Sequence, residues 1–104
     1  MNAGGSNQGP NAVSVGLFAG NGTQGANAVA IGRDAGGVTQ GQHAVAVGHA
    51  AGQTRQLAYG VAIGGGAAYF EQKEGAVAIG QNAGRSSQAA KSVAIGVNAG
   101  QNDQ

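Results

Sequence analysis

The feature that most constrains this chain of 104 residues is a repeat of sixteen residues that continues without an insertion. Four residue types recur at every sixteenth position, in columns that hold only Gln, only Val, only Gly or only Ala. The columns are Gln8, Gln24, Gln40, Gln56, Gln72, Gln88 and Gln104; Val13, Val29, Val45, Val61, Val77 and Val93; Gly16, Gly32, Gly48, Gly64, Gly80 and Gly96; and Ala3, Ala19, Ala35, Ala51, Ala67, Ala83 and Ala99. A short fixed period of this kind is the sequence signature of a solenoid.

The repeat also defines the domain organisation, because no linker interrupts it. When the sequence is divided after each glutamine of the column, it consists of a half coil at residues 1–8 and six full coils. The full coils are 9–24, 25–40, 41–56, 57–72, 73–88 and 89–104. Sixteen residues are too few for a strand, a helix and two turns, but they suffice for two short strands and two turns. We therefore predict one all-β domain over residues 1–104, a β-solenoid in which equivalent residues of successive coils stack about 4.8 Å apart.

Alternation of residue size within each unit predicts which side chains share a face. In residues 27–32, Val29 and Ile31 lie on one face of a short strand and Ala30 lies on the other. We predict that the branched residues form two apolar ladders in the core of the coil. These core columns are Val13, Val15, Val29, Ile31, Val45, Val47, Val61, Ile63, Val77, Ile79, Val93 and Ile95.

The small face of the same strands predicts an interface between copies of the chain. The sequence holds 22 Gly and 22 Ala but only 18 Val, Ile, Leu and Phe, so a thin roll has little apolar area with which to offset its conformational entropy. A flat alanine wall suits close contact with a second copy, although alanine also tolerates exposure. The predicted interface residues are Ala30, Ala46, Ala62, Ala78 and Ala94.

Composition and charge exclude several classes of protein. Twenty-two glycines make helices costly, at about 1 kcal/mol each relative to alanine, so an all-α fold is excluded. The formal net charge is +1 and no basic run is present, which argues against a nucleic-acid partner. No apolar stretch is long enough to span a bilayer, and residues 1–10 do not resemble a signal peptide. We expect no direct membrane contact by this segment and an anchor elsewhere in a longer chain.

Enzymatic chemistry has almost no support in the sequence, and we expect no catalytic residue, cofactor or metal. Four carboxylates are spread over different units or lie on turns, and His43 and His49 fall at opposite ends of one predicted strand. Residues 20–25 match a dinucleotide-binding glycine pattern, but neither the following helix nor the later acidic residue is present.

Two other features have both a structural and a functional interpretation. For the glutamine column we favour a structural role, in which the stacked side-chain amides hydrogen-bond to each other or to the backbone of the turns. The alternative is an exposed polar stripe that binds a glycan. The coil at 57–72 holds Tyr59, Tyr69 and Phe70. These aromatics are a weak candidate for ligand binding, whereas packing over neighbouring glycines or against another subunit is the favoured interpretation.

The strand segments resemble a known repeat. Lys-Ser-Val-Ala-Ile-Gly at 91–96, with its relatives at 27–32 and 75–80, is similar to the Asn-Ser-Val-Ala-Ile-Gly repeat in head domains of YadA-like trimeric autotransporter adhesins. The resemblance implies a left-handed parallel β-roll assembled as a homotrimer, with Val and Ile inside each roll and the small strand residues near the subunit interfaces. It also implies a position on the bacterial outer surface. The serine before valine survives only as Ser92, and the glutamine column departs from that family's pattern.

The expected function is therefore non-enzymatic attachment, in which a trimeric head binds an extracellular matrix protein or cell-surface glycan through repeated contacts. The alternative is a structural or receptor-binding segment of a viral or phage fibre, on the virion surface. An ice-binding solenoid is a remote alternative, because Thr23, Thr39 and Thr54 do not form one full column.

Overall fold

The computed structural model describes residues 7–101, which form twelve short strands and no helix. Strands of two residues alternate along the chain with strands of three. The two-residue strands are β1 Asn7–Gln8, β3 Thr23–Gln24, β5 Thr39–Gln40, β7 Arg55–Gln56, β9 Glu71–Gln72 and β11 Ser87–Gln88. The three-residue strands are β2 Val13–Val15, β4 Val29–Ile31, β6 Val45–Val47, β8 Val61–Ile63, β10 Val77–Ile79 and β12 Val93–Ile95.

The strands stack into two parallel sheets with a register of sixteen residues. The odd-numbered strands form one sheet of six and the even-numbered strands form the other. Val45 pairs with Val29 on one side and with Val61 on the other. The predicted all-β solenoid with sixteen-residue coils is thus confirmed. The longest dimension of the molecule is 31 Å. Residues 1–6 and 102–104, at the ends of the predicted units, lie outside the described residues.

The glycine column marks the end of each three-residue strand, where the backbone turns. Gly48 has a φ of +124°, a conformation that residues with a β-carbon rarely adopt. A β-carbon at Gly48 would also lie only 2.8 Å from the carbonyl carbon of Gly64 in the next coil. Both the dihedral angle and the close stacking therefore require glycine, which explains why this column never varies.

The interior of the coil is lined by alanine, so the predicted assignment of the two strand faces is wrong. The five alanines predicted to form an interface between chains are enclosed within one chain, with 0 to 2% of their surface exposed: Ala30, Ala46, Ala62, Ala78 and Ala94. They pack against a second buried alanine column, Ala19, Ala35, Ala51, Ala67 and Ala83. Residues sealed inside one coil cannot contact a sister chain.

The branched residues lie on the outer side of the even-numbered strands, which corrects the predicted core. Their exposure rises to 63% at Ile95. Exposed positions are Val13, Val15, Ile31, Ile63, Val93 and Ile95; half-buried positions are Val29, Val45, Val47, Val61, Val77 and Ile79.

The physical reason for this inversion is the narrow interior of a sixteen-residue coil. The side chain of glutamine reaches inward from each of β3, β5, β7, β9 and β11, and it is almost fully buried there. The opposing strand then has room only for a methyl group. Alternation fixes which residues share a face of a strand but not which face points inward.

Candidate functional site

The buried glutamines form a continuous hydrogen-bonded ladder inside the coil. Each side-chain Nε2 donates to the Oε1 of the glutamine sixteen residues later, over 2.8 to 3.1 Å, in the series Gln24, Gln40, Gln56, Gln72 and Gln88. The same Nε2 also donates across the coil, as from Gln56 to the carbonyl of Val45 at 2.7 Å. The structural interpretation of the glutamine column is confirmed, and this ladder joins the two sheets.

The outer side of the even-numbered sheet is an apolar surface that runs along the solenoid. We name it the valine–isoleucine face; it consists of the twelve Val and Ile side chains at the first and third positions of β2, β4, β6, β8, β10 and β12. The outer side of the odd-numbered sheet differs, because it holds Thr23, Thr39, Arg55 and Glu71, with Arg55 and Glu71 paired at 3.3 Å. Only one of the two sheets therefore presents a continuous apolar exterior.

A notch interrupts the loops that follow the even-numbered strands. Gly65 and Gly66 occupy positions that hold His49 and Ala50 one coil earlier and Gln81 and Asn82 one coil later. The missing side chains leave an open cavity of about 300 Å³ between those two coils. Its volume is at the lower end of the range for small-molecule sites.

The side of the notch is formed by an aromatic ring and a cation. Tyr69 and Arg85 both line it, and the Arg85 guanidinium carbon lies 5.1 Å from the centre of the Tyr69 ring. Within residues 7–101, no carboxylate lies at ion-pair distance from Arg85. The lining also contains His49 and the side chains of Gln81 and Asn82, but no Asp or Glu.

The structure separates the three aromatic residues that the sequence grouped as a weak ligand-binding candidate. Tyr59 stacks on His43 with ring centres 5.1 Å apart and does not line the notch. Phe70 packs edge-on against Tyr69 at 4.9 Å, and of the three only Tyr69 lines the notch. Tyr59 and Phe70 are 55% and 48% exposed, so their packing over neighbouring glycines or against another subunit stays a prediction.

Sequence reasoning missed the other residues of the notch. The signal that identifies them is a comparison of columns, because Gly65 stands in a column that otherwise holds Leu17, Arg33, His49, Gln81 and Val97. A glycine in a column of larger side chains indicates a gap in the surface of a solenoid. The equivalent residues of the adjacent coils, and the side chains beside them, are then its walls.

The remaining candidate chemistry is limited. Among the described residues, no three His, Asp or Glu side chains are close enough together to hold a metal ion. Over the same part of the chain, no helix has the length and apolar character needed to cross a bilayer. Comparison with protein-family models, with curated proteins and with solved structures finds no match.

Proposed function

We propose that this chain is a non-enzymatic attachment module that assembles as a homotrimer and binds a host matrix protein or a cell-surface glycan through repeated contacts. The observation that carries the assembly is the valine–isoleucine face, whereas attachment to a host surface is proposed from the resemblance of the repeats. An apolar surface of this length on one side of a small protein is typical of an interaction site.

A second copy of the chain is the partner that fits this face best. The face repeats with the spacing of the coils, so two copies placed side by side present the same rows of branched side chains at the same intervals. The face holds only Val and Ile, whereas the other sheet holds Arg55 and Glu71 on its outer side. Self-association through the valine–isoleucine face replaces the alanine contact that the sequence predicted.

The number of chains and the hand of the coil are proposed from the resemblance of the repeats. Lys-Ser-Val-Ala-Ile-Gly at 91–96 resembles the repeat of YadA-like adhesin heads, which form left-handed trimeric rolls. By the same resemblance, we place the module on the outer surface of a bacterial cell as part of a longer chain. Three identical lateral surfaces on one rod would give avidity without a deep binding site.

A segment of a viral or phage fibre is the second candidate function. The strict period of sixteen and the internal glutamine ladder depart from the adhesin repeat that the chain otherwise resembles, which keeps a fibre segment open as the alternative. An ice-binding surface has less support. Thr23 and Thr39 are neighbours in the odd-numbered sheet, but the next position is Arg55, so the row of threonines stops after two.

The oligomeric state tests the assembly. Light scattering should give a mass of about 30 kDa for the wild-type protein, three times the 9.9 kDa of one chain. Ile31→Lys combined with Ile63→Lys should reduce the mass to that of a monomer, because two charges would be buried in the interface. Thr23→Lys with Thr39→Lys, on the outer side of the other sheet, is the matched control and should leave a trimer. A wild-type monomer would refute the proposed assembly.

Attachment is tested separately on cells and on immobilised matrix proteins. The trimer should bind at least one of these surfaces much more strongly than the monomeric lysine variant does, since avidity depends on simultaneous contacts. A trimer that binds neither cells nor matrix proteins nor glycans would refute attachment and favour a purely structural segment.

A further inference from the structure

We infer that the notch at Gly65 and Gly66 is a saccharide-binding site that takes one acidic sugar unit of a surface glycan. The inference rests on the proposed attachment function and deepens it, because it selects a glycan as the ligand and assigns its position. Three observations carry it: the shape of the gap, the chemistry of its walls and its place on the loops.

The shape of the gap is specific to one coil. A β-carbon at Gly65 would meet no heavy atom within 4 Å, so this glycine faces open space, and its backbone has no positive φ that would require glycine. Nothing in the fold therefore explains the absence of a side chain at this position. A glycine that lets a ligand approach the backbone closely does explain it.

The second glycine of the notch has a defined structural role. Gly66 has a φ of +72°, and the side-chain Oδ1 of Asn82 lies 2.6 Å from the place that a β-carbon would occupy. The absence of a side chain at Gly66 thus allows the amide of Asn82 to lie across the notch. An amide held in this way offers both a donor and an acceptor to sugar hydroxyl groups.

The chemistry of the walls favours a ligand with a carboxylate. Arg85 supplies a guanidinium that has no carboxylate partner among the described residues, and such a group binds carboxylates through two parallel hydrogen bonds. The amides of Gln81 and Asn82 suit hydroxyl groups, and Tyr69 supplies an apolar wall for the ring. A wall without acidic residues does not repel an anionic sugar.

All of the residues that line the notch lie in loops, outside the twelve strands that form the two sheets, so none of them belongs to the valine–isoleucine face. A trimer would carry three copies of the notch, so weak binding of one sugar unit at each copy would sum to strong attachment on a dense glycan surface.

The test is a titration of the assembled full chain, followed by the amide signals in its NMR spectrum. Sialyllactose and a hyaluronan tetrasaccharide are the acidic probes, and lactose is the neutral control. Sialyllactose or the hyaluronan fragment should shift the amides of Gly65, Gly66 and Tyr69, and lactose should bind at least about tenfold more weakly, as expected for the loss of a charge-assisted hydrogen bond.

Two substitutions locate the site. Gly65→Gln introduces the residue that the next coil has at the same position, Gln81, and the open space at Gly65 accepts it without strain. Because the new side chain fills the notch, the variant should fold and form the trimer but should not bind the acidic probes. Arg85→Gln should weaken the acidic probe about tenfold and leave lactose unchanged. Ala90→Gln, at an exposed alanine outside the notch, is the control and should bind as the wild type does.

The outcomes separate this inference from the proposed function. Acidic-sugar binding that survives Gly65→Gln, or shifts confined to residues outside the notch, would overturn the site. A trimer that attaches to matrix proteins but binds neither acidic probe would overturn the saccharide inference and leave attachment intact. A trimer that attaches to no surface would overturn both.

Discussion

Gln56 shows how a single polar residue can organise the interior of so thin a protein. Its side chain is fully buried, donates to the carbonyl of Val45 at 2.7 Å and to Gln72 at 2.9 Å, and accepts from Gln40 at 3.0 Å. Within residues 7–101, no buried side-chain nitrogen or oxygen lacks a partner. Because every amide depends on its neighbours, a change at one glutamine removes a hydrogen bond from polar groups of three other residues.

Gln56→Leu should therefore destabilise the protein strongly. Leucine is close in size to glutamine but cannot form its hydrogen bonds with the Gln40 amide, the Gln72 side-chain oxygen and the Val45 carbonyl. Each buried polar group that is left unsatisfied costs about 1–3 kcal/mol. We expect a loss of roughly 3 kcal/mol or more in the free energy of unfolding, measured in urea at fixed protein concentration. Gln42→Leu, at an exposed glutamine, is the control. Equal effects of the two substitutions would contradict the ladder.

Gly48 and Gly65 should respond differently to substitution by alanine. Gly48→Ala combines a strained φ with a clash against the next coil, and should lower the free energy of unfolding by roughly 3 kcal/mol. Gly65→Ala meets neither obstacle, so it should be neutral or stabilise by about 0.4–1 kcal/mol through the unfolded state. Thermal melting of the two variants checks this. Similar melting temperatures would mean that the glycine column is not required by the backbone.

At the scale of the element, the sequence predicted the strands and their stacking but not their inward face. The period of sixteen determines the register, which is why Val29, Val45 and Val61 are neighbours as expected. The inward face depends on the width of the coil, which alternation does not report. In the odd-numbered strands, the polar and charged residues that vary before the glutamines, such as Thr39, Arg55 and Glu71, indicate the outer side. In the even-numbered strands invariance gives no such signal, because the invariant valine column lies on the outer side.

The candidate site was predicted less well than the fold, for a related reason. The sequence draws attention to Tyr69 because three of the four aromatic residues fall in the coil at 57–72, but Arg85, Asn82 and Gln81 look like ordinary polar loop residues. Their role depends on what is missing beside them, at Gly65. Only the stacking of adjacent coils brings these residues together around that gap.

Strand β6 gives a matched test of the two faces. Ala46→Val adds volume inside the coil, where overpacking costs about 1–3 kcal/mol. Val47→Ile adds a methylene to the outer side, in a column that already contains Ile31 and Ile63, and should change stability by less than about 0.5 kcal/mol. Urea unfolding of both variants measures the difference. A larger loss for Val47→Ile than for Ala46→Val would contradict the assignment of the faces.

At the scale of the whole molecule, the solenoid is a stack of coils with a closed interior and two chemically different outer sides. Each coil contacts only its neighbours, so stability is expected to come from the sum of coil-to-coil contacts rather than from one central core. The interior holds the coils together through alanine and glutamine. In the proposed function, the valine–isoleucine face serves self-association and the loops serve ligand binding.

The most direct test of this account compares two adjacent residues of β8 by the far-ultraviolet circular dichroism of Ala62→Asp and Ile63→Asp. Ala62 is fully buried inside the coil, whereas Ile63 is 37% exposed on its outer side. We predict that aspartate at position 62 abolishes the β-sheet signal, because burying a charge that has no ion-pair or hydrogen-bond partner costs more free energy than the fold can offset. Ile63→Asp should retain that signal. Loss of the signal in Ile63→Asp with its retention in Ala62→Asp would contradict the account.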